Sequence, residues 1–407
     1  MSVHKYRAVA IGIKVKDRAI RAYGQTDVLI VGAGPTGLAL ACALAQRGVS
    51  CRVIDRREER STRSKANLIN PRTIEALVGL GVGERLLAEG LPIRRTRLAR
   101  GARIVADFTV PPFPQTPYPY ALHLPQPRLE ALLIARLAAL DGVVERGVAL
   151  GDFRQDSRGV DAWLAGPHGA EGVRAAFVVG CDGAHSAVRE GLGLPFVGES
   201  YPESFIVADV HAEWAQPGAT NLMWLHRDGL MLAWACPEPG LWHLFFNLTA
   251  AQDAAIATPT VADVQRIVAE RTGDGRVRFT DPVWVSKFAV QQRRVEQYRV
   301  GRAFLAGDAA HIHSPMVGKG LGLGVQDGVS LGQKLAGVLR GEHDLSLLDR
   351  YERERLPVSR RVFREAHATH RLLIPRSGAA CFARDALAPL LRIEGAQRWL
   401  LTNNFQL

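Results

Sequence analysis

The sequence sets glycines and carboxylates where a phosphate-bearing nucleotide needs them. Gly32-x-Gly34-x-x-Gly37 stands between an apolar run and a helical pattern, and Asp55 follows eighteen residues beyond Gly37. Gly32 permits a tight turn, Gly34 lets backbone approach a pyrophosphate, Gly37 lets helix and strand pack, and Asp55 can accept ribose hydroxyls. Pro35 and Thr36 complete the turn, and Arg56 follows the acid. Two more acidic turns lie far along the chain, Asp182-Gly183 and Gly307-Asp308, each after an apolar run. A carboxylate at a strand end beside glycine accepts hydroxyl protons well, and burying one unpaired would be costly. The fingerprint by itself does not separate FAD from NAD.

Hydrophobic periodicity shows the elements that must position these groups. Asp27 to Val31, Leu38 to Arg47 and Cys51 to Asp55 read as strand, helix and strand, a βαβ start. Pro71 to Leu80 reads as a helix with proline in its first turn, and Pro127 to Leu140 as another. Ala176 to Gly180 is a buried strand that closes on Asp182. Residues 203–247 change character to an antiparallel meander, with turns at Arg227-Asp228-Gly229 and at Pro237 to Gly240. Residues 260–272 look helical, 283–291 strand-like, and Ala303 to Ala306 is one more buried strand. A helix from about Gly320 to Leu339 and a largely helical tail follow. The proline-rich stretch 110–120 is expected to be a loop or edge.

Residues 179–189, which contain Asp182, Gly183, Ser186 and Arg189, and residues 302–315, which contain Gly307, Asp308, His311 and Pro315, complete a pattern with the fingerprint. Together they resemble the FAD-dependent aromatic hydroxylases, the para-hydroxybenzoate hydroxylase-like class A flavin monooxygenases, over about residues 26–360. The resemblance implies an α/β fold in which a discontinuous, Rossmann-like FAD-binding domain (26–93, 121–199 and 286–345) receives an inserted antiparallel-sheet substrate domain (94–120 and 200–285). A C-terminal helical segment (346–407) and a flexible extension (1–25) complete the expected organisation. The resemblance assigns the ADP half of FAD to the fingerprint and the ribityl chain to Asp308. Asp182-Gly183 falls near the flavin pyrophosphate, and Gln126 near the ribityl or phosphate region. The turn Pro315, Gly318, Lys319, Gly320 and Leu321 is expected to put backbone N–H groups and a helix N-terminus against the flavin N1 and C2 carbonyl, where charge develops on reduction.

Three residues depart from the family's pattern. Lys319 stands where glutamine is usual, Gly322 where asparagine is usual, and Lys65 at a position the family gives to arginine. For Lys319 two readings stand side by side: an ammonium beside the flavin that raises its reduction potential, or a side chain turned into solvent. The implied reaction is NAD(P)H reduction of FAD, addition of O2 at flavin C4a, and transfer of one oxygen from the hydroperoxide to an electron-rich aromatic or polyketide-like small molecule. The cofactor performs the chemistry while protein groups orient it, so no side-chain nucleophile is expected. No second glycine fingerprint follows a strand, so NAD(P)H is expected as a transient co-substrate. A halogenase, a related reductase, and an FAD-binding protein without turnover remain as alternatives; the WxWxIP segment typical of such halogenases is absent from the sequence.

Strand alternation through the meander, with simple register at both turns, puts Leu222, Trp224, His226, Leu232, Trp234, His243, Phe245 and Asn247 on one face. Its rings and scattered polar groups suit an aromatic ligand, and Trp224, His226, Trp234, His243 and Phe245 are the expected substrate residues. The opposite face, with Met223, Leu225 and Met231, is expected to pack on helices.

Composition limits the alternatives. The chain has 407 residues, of which 47% are hydrophobic, enough for two to three domains and a sizeable core. The formal charge is +11, but six basic residues against one acid in residues 1–24 supply five of those charges, so neither nucleic acid nor a membrane is an expected partner. The length is expected to leave no room for the thioredoxin-like domain of the phenol hydroxylase branch. Five scattered cysteines without a CxxC pair favour a reducing cytoplasm. His311 and His313, or His367 and His370, lack the carboxylate or cysteine that would complete a metal set, so no metal is expected. The arginines between Arg94 and Arg103 are either a solvated face or an attractor for NADPH phosphates. A monomer or homodimer is expected.

Overall fold

A computed structural model describes residues 23–64, 66–109 and 116–397. Most of the expected N-terminal extension, Lys65, part of the proline-rich stretch and the last ten residues lie outside the described residues. The first strand, Tyr23–Val31, starts earlier than expected and takes in residues 23–25.

The first sheet is the nucleotide-binding layer. Tyr23–Val31 runs parallel to Cys51–Asp55 on one side and to Gly169–Gly180 on the other. Ala303–Leu305 extends the parallel set beyond Gly169–Gly180. The strand ends therefore deliver the fingerprint turn, Asp55, Asp182 and Gly307 to one edge, which is the place where open α/β sheets bind ligands. The helix Pro35–Ala45 crosses from Tyr23–Val31 to Cys51–Asp55, and its residues from Gly37 to Leu44 are all buried. It is covered by the helix Gly320–Leu339 along a stripe of glycines four residues apart. A Cβ on Gly324 would lie 2.4 Å from Thr36 Oγ1, one on Gly328 2.4 Å from Thr36 O, and one on Gly332 2.7 Å from Ala43 Cβ. Only glycine lets the two backbones come this close.

The second sheet has eight strands, with Val197–Ala212, Leu241–Asn247, Gly229–Ala235 and Thr220–His226 at its centre. One face buries Trp224, Met231, Ala233, Trp242, Leu244 and Phe246 against Val264, Ile267 and Val268 of the helix Val261–Thr272. The other face carries Leu225, Leu232 and Phe245 towards Ile374 and Ala388 of the C-terminal segment. The first hairpin corrects the expected alternation. His226 pairs with Gly229, so the loop is the two residues Arg227 and Asp228, and Met223 rather than Trp224 lies opposite Leu232. A one-residue change in loop length flips every side chain of the incoming strand. Trp224 is therefore on the core face, stacked on Trp214 with centroids 5.5 Å apart, while Met223 and Leu225 face the cavity. Asn247, also expected on the ligand face, instead pins this hairpin: its Oδ1 accepts from Leu230 N at 2.8 Å and its Nδ2 donates to Asp228 O at 2.8 Å.

The basic run folds into the hairpin Arg95–Arg100 and Arg103–Thr109. Arg95 and Arg97 both bind Asp107 on the facing strand, each at 2.7 Å, and Arg100 reaches Asp385 at 3.0 Å. Three of the five arginines read from the sequence as a solvated face or an attractor for NADPH phosphates thus meet carboxylates of the chain. A long tail helix, Asp349–Leu373, and the helix Gly378–Leu387 close the molecule.

Candidate active site

A single cavity of about 1460 Å3 runs between the two sheets, larger than the roughly 300–1,000 Å3 usual for one small ligand. At one end it is lined by Gly32, Gly34, Pro35, Thr36, Asp55 and Arg56, then by Gln126, Asp182, Gly183 and Asp308. Pro315, Gly318, Gly320 and Leu321 follow, and Met223, Leu225, Leu232, Trp234, His243 and Phe245 line the far end. The cavity thus brings together most of the residues expected from sequence. It leaves out Trp224, for the register reason above, and His226, which sits at the hairpin tip beside a smaller hollow with Arg100 and Arg103. Gly37 and Gly307 act from behind the wall: a Cβ would fall 2.0 Å from Gly32 O at the first and 2.4 Å from Thr36 Oγ1 at the second.

The nucleotide end has the shape that a dinucleotide requires. Gly32 has φ +107 and its Cβ would lie 2.4 Å from Cys181 O, so the turn is set by the neighbouring strand end. Gly34 is the opposite case, since a Cβ there would meet no protein atom within 4 Å. Its backbone is open to whatever fills the cavity. Asp55 accepts the N–H of Ala33 at 3.0 Å and of Arg57 at 2.9 Å, so it holds the turn as well as facing the site. Asp182 accepts from Ala187 N at 2.6 Å through Oδ2, while its Oδ1 is buried without a partner. Burial outweighs its hydrogen bonds and raises its pKa to about 6. Asp308 is exposed to the cavity from the short turn Gly307–Ala309. Gln126 is the first residue of the helix Gln126–Ala138, and its Nε2 donates to Glu130 at 2.8 Å. These groups fit FAD: a bare backbone approach for phosphate, an orphaned carboxylate oxygen, and further carboxylates lining the cavity.

The turn before the long helix is held from behind. Gly318 has φ +61 and the helix starts at Gly320 with no side-chain cap and no acid in its first turn, so its amide N–H groups are left for a ligand. Lys319 fits neither sequence reading. It is 2% exposed and its Nζ donates to Glu365 of the tail helix at 2.7 Å, so it points neither to solvent nor into the cavity. The Gly322 departure also has a partner, because a Cβ there would come 2.5 Å from Thr73 Oγ1 and 3.0 Å from Asn70 Nδ2. Asn70 and Thr73 fill the space that a side chain at 322 would need.

Sequence reasoning missed two residues here. His313 lines the cavity, donates through Nδ1 to Ser314 O at 3.0 Å, and leaves Nε2 buried without a partner. Burial pushes its pKa down to about 4, so the ring is neutral. Its only sequence signal is strand alternation after His311. Asp327 ties the region together: Oδ2 accepts from Gly307 N at 3.2 Å and meets His311 Nε2 at 2.6 Å, and Oδ1 accepts from Arg355 at 2.7 Å. Burial alone would raise its pKa, but Arg355 and His311 outweigh it and hold the carboxyl below the usual range. Among the described residues no group of His, Cys, Asp and Glu could hold a metal ion, and no helix is long and apolar enough to cross a membrane.

A parallel nucleotide sheet, an antiparallel ligand sheet and one cavity spanning both define a two-domain flavoprotein of the hydroxylase type. The chain belongs to the FAD binding domain family, which matches residues 25–366, and with it to the FAD-dependent aromatic hydroxylases that its motifs resemble. It is 39% identical over 358 residues to a 6-methylpretetramide 4-monooxygenase of Streptomyces rimosus, covering 87% of this chain and 63% of that protein. Its structure is similar to that of an anhydrotetracycline hydroxylase from Streptomyces rimosus, with TM-score 0.76, 34% identity, and coverage of 94% of this chain and 76% of that one. It is also similar to an aklavinone-11 hydroxylase solved with FAD and aklavinone, with TM-score 0.75, 31% identity, and coverage of 90% and 70%.

Proposed function

We infer that this chain is an NAD(P)H-dependent FAD monooxygenase that hydroxylates an aromatic or polyketide-like small molecule. The observation that carries this reading is the continuity of the cavity from the fingerprint turn to the face formed by Met223, Trp234, His243 and Phe245. FAD, when bound, supplies the redox chemistry that reduces and activates O2. The chain's own residues do the rest. Gly34 and the uncapped start of the helix Gly320–Leu339 offer backbone to the cofactor's anionic parts, and Asp55, Asp182 and Asp308 accept its hydroxyls. The apolar far wall excludes water and presents flat rings to a flat substrate. The similar proteins described above, named for 6-methylpretetramide, anhydrotetracycline and aklavinone, support the substrate class. The close fit of Gly322 against Asn70 and Thr73 supports reading its departure from the pattern as a matter of local packing.

The test uses purified holoprotein with NADH or NADPH in air, with and without polycyclic phenols. The expected result is substrate-stimulated NAD(P)H oxidation and a product that carries one oxygen from isotopically labelled O2. Bound FAD with no reduction by either nicotinamide would leave a flavin-binding protein without turnover.

A further inference from the structure

The far wall of the cavity carries titratable groups that cofactor binding does not use. His243 lines the cavity, and its Nδ1 meets Oδ1 of Asp209 at 2.6 Å. The other oxygen of Asp209 accepts the indole N–H of Trp284, also at 2.6 Å. The arrangement is set by sheet register: Trp284 lies opposite Asp209, Asp209 opposite His243, and His243 opposite Trp234, one row across four strands. An indole N–H only donates, so Asp209 is the acceptor towards Trp284. A carboxylate accepting from both sides fixes the proton of His243 on Nδ1 and leaves Nε2 as the nitrogen that a bound molecule can meet.

The neighbours favour one proton acceptor. The titratable groups facing His243 are Asp209, His123 and Cys236. His123 is fully buried, donates through Nδ1 to Ala235 O at 2.7 Å, and lies 6.3 Å from His243 between ring centroids. Burial pushes its pKa down to about 3, so it stays neutral. Burial likewise pushes the Cys236 thiol far above its ordinary range, which keeps it protonated. Trp234 lies 5.5 Å from His243 between ring centroids and lines the same cavity.

We propose that His243, oriented by Asp209 and Trp284, is the base that takes the proton of a phenolic hydroxyl on the substrate. The substrate O–H bond breaks, an Nε2–H bond forms, and the electron pair stays on oxygen as a phenolate. The imidazolium that results is stabilised by Asp209, as in other carboxylate–histidine pairs. No oxidant is consumed in this step. The phenolate pushes electron density into its ring, which makes the ring carbon a better acceptor of electrophilic oxygen, and the proton returns to the product afterwards. His243 is the catalytic residue of this step; Asp209 and Trp284 are positioning residues. The proposal rests on the reading of the cavity as a site for an aromatic substrate.

The experiment measures ionisation rather than turnover. Alizarin, a hydroxyanthraquinone whose absorption moves to longer wavelength when it loses a proton, is titrated with pH on purified holoprotein without nicotinamide. In wild type the bound dye is expected to ionise about one pH unit below the free dye, a roughly tenfold preference for the phenolate. His243→Gln should abolish that shift and Asp209→Asn should reduce it, with FAD content and melting temperature showing that each variant is folded. Asp209→Asn is isosteric and carries the test if His243→Gln fails to fold. Alizarin that binds and ionises alike in wild type and in both variants overturns the base and leaves the aromatic site standing. Alizarin that does not bind to wild-type holoprotein overturns the aromatic-site reading and the base with it.

Discussion

A Cβ at position 34 would meet no protein atom within 4 Å, whereas one at position 37 would collide with the carbonyl of Gly32 at 2.0 Å. The two glycines of one motif therefore fail differently. Gly34→Val is expected to fold normally and to bind FAD at least about 100-fold more weakly, a loss of ~2.7 kcal/mol, as read by flavin titration and melting temperature. Gly37→Ala is expected to lose about 1–3 kcal/mol of stability or more from overpacking, with FAD lost only as the fold is lost. Asp182 gives a test with a definite sign. Its carboxyl is raised in the folded state, from 3.8 to about 6, so folding disfavours the ionised form. That cost is absent below the unfolded pKa, grows between the two values and is complete above the folded one, at up to ~3 kcal/mol. Asp182→Asn should accordingly raise the melting temperature of FAD-free protein at pH 8 and leave it nearly unchanged at pH 4. The types and spacing of these residues were readable in the sequence because glycine turns and strand-end acids are local features. His313 and Asp327 were not: the role of His313 comes from burial of its ring in the cavity wall, and that of Asp327 from Gly307, His311 and Arg355, which lie 16 to 28 residues away.

Element by element, hydrophobic periodicity located the strands and helices and misled at one turn. The glycine fingerprint, the meander and the long helix after Lys319 all stand where periodicity put them, since each is decided by a dozen residues at once. The hairpin at Arg227-Asp228 is decided by one residue: counting Gly229 in the loop or in the strand inverts Thr220–His226. No composition rule distinguishes the two; the deciding contact is Asn247, whose side chain would overlap any Cβ at 229 at 2.0 Å. The corrected register predicts separable mutants. Trp224→Ala should cost about 3–5 kcal/mol by denaturant unfolding, because Trp224 is core against Trp214, with ligand preference little changed. Met223→Trp should leave unfolding nearly unchanged and weaken binding of polycyclic phenols, because Met223 faces the cavity.

On the scale of the whole molecule, the tail helix Asp349–Leu373 fastens the FAD-binding elements from behind. Arg355 reaches Asp327 at 2.7 Å, Tyr351 donates to Leu305 O at 2.9 Å, Ser359 meets Tyr298 at 2.6 Å, and Glu365 holds Lys319 at 2.7 Å. Sequence reading showed a helical tail but not this work, since all four contacts join residues at least 28 apart in the chain. Glu365→Gln removes the carboxylate that pairs the buried ammonium of Lys319 and should lower stability by about 3 kcal/mol. Lys319→Met should cost less, because Glu365 keeps Arg361 at 2.8 Å. A redox titration of Lys319→Gln should leave the flavin potential unchanged, since in wild type the ammonium is matched by a carboxylate and lies outside the cavity.

The two faces of the antiparallel sheet are chemically independent, and this makes the scaffold easy to redesign. Residues packed on the helix Val261–Thr272 alternate with residues on the cavity side, so neighbouring codons reach different faces. A mutant library confined to Met223 and Trp234, the partly buried residues of the cavity wall, would vary the shape of the ligand wall while the buried positions on both faces remained wild type. Selection for a new substrate could then proceed through many rounds before instability set a limit.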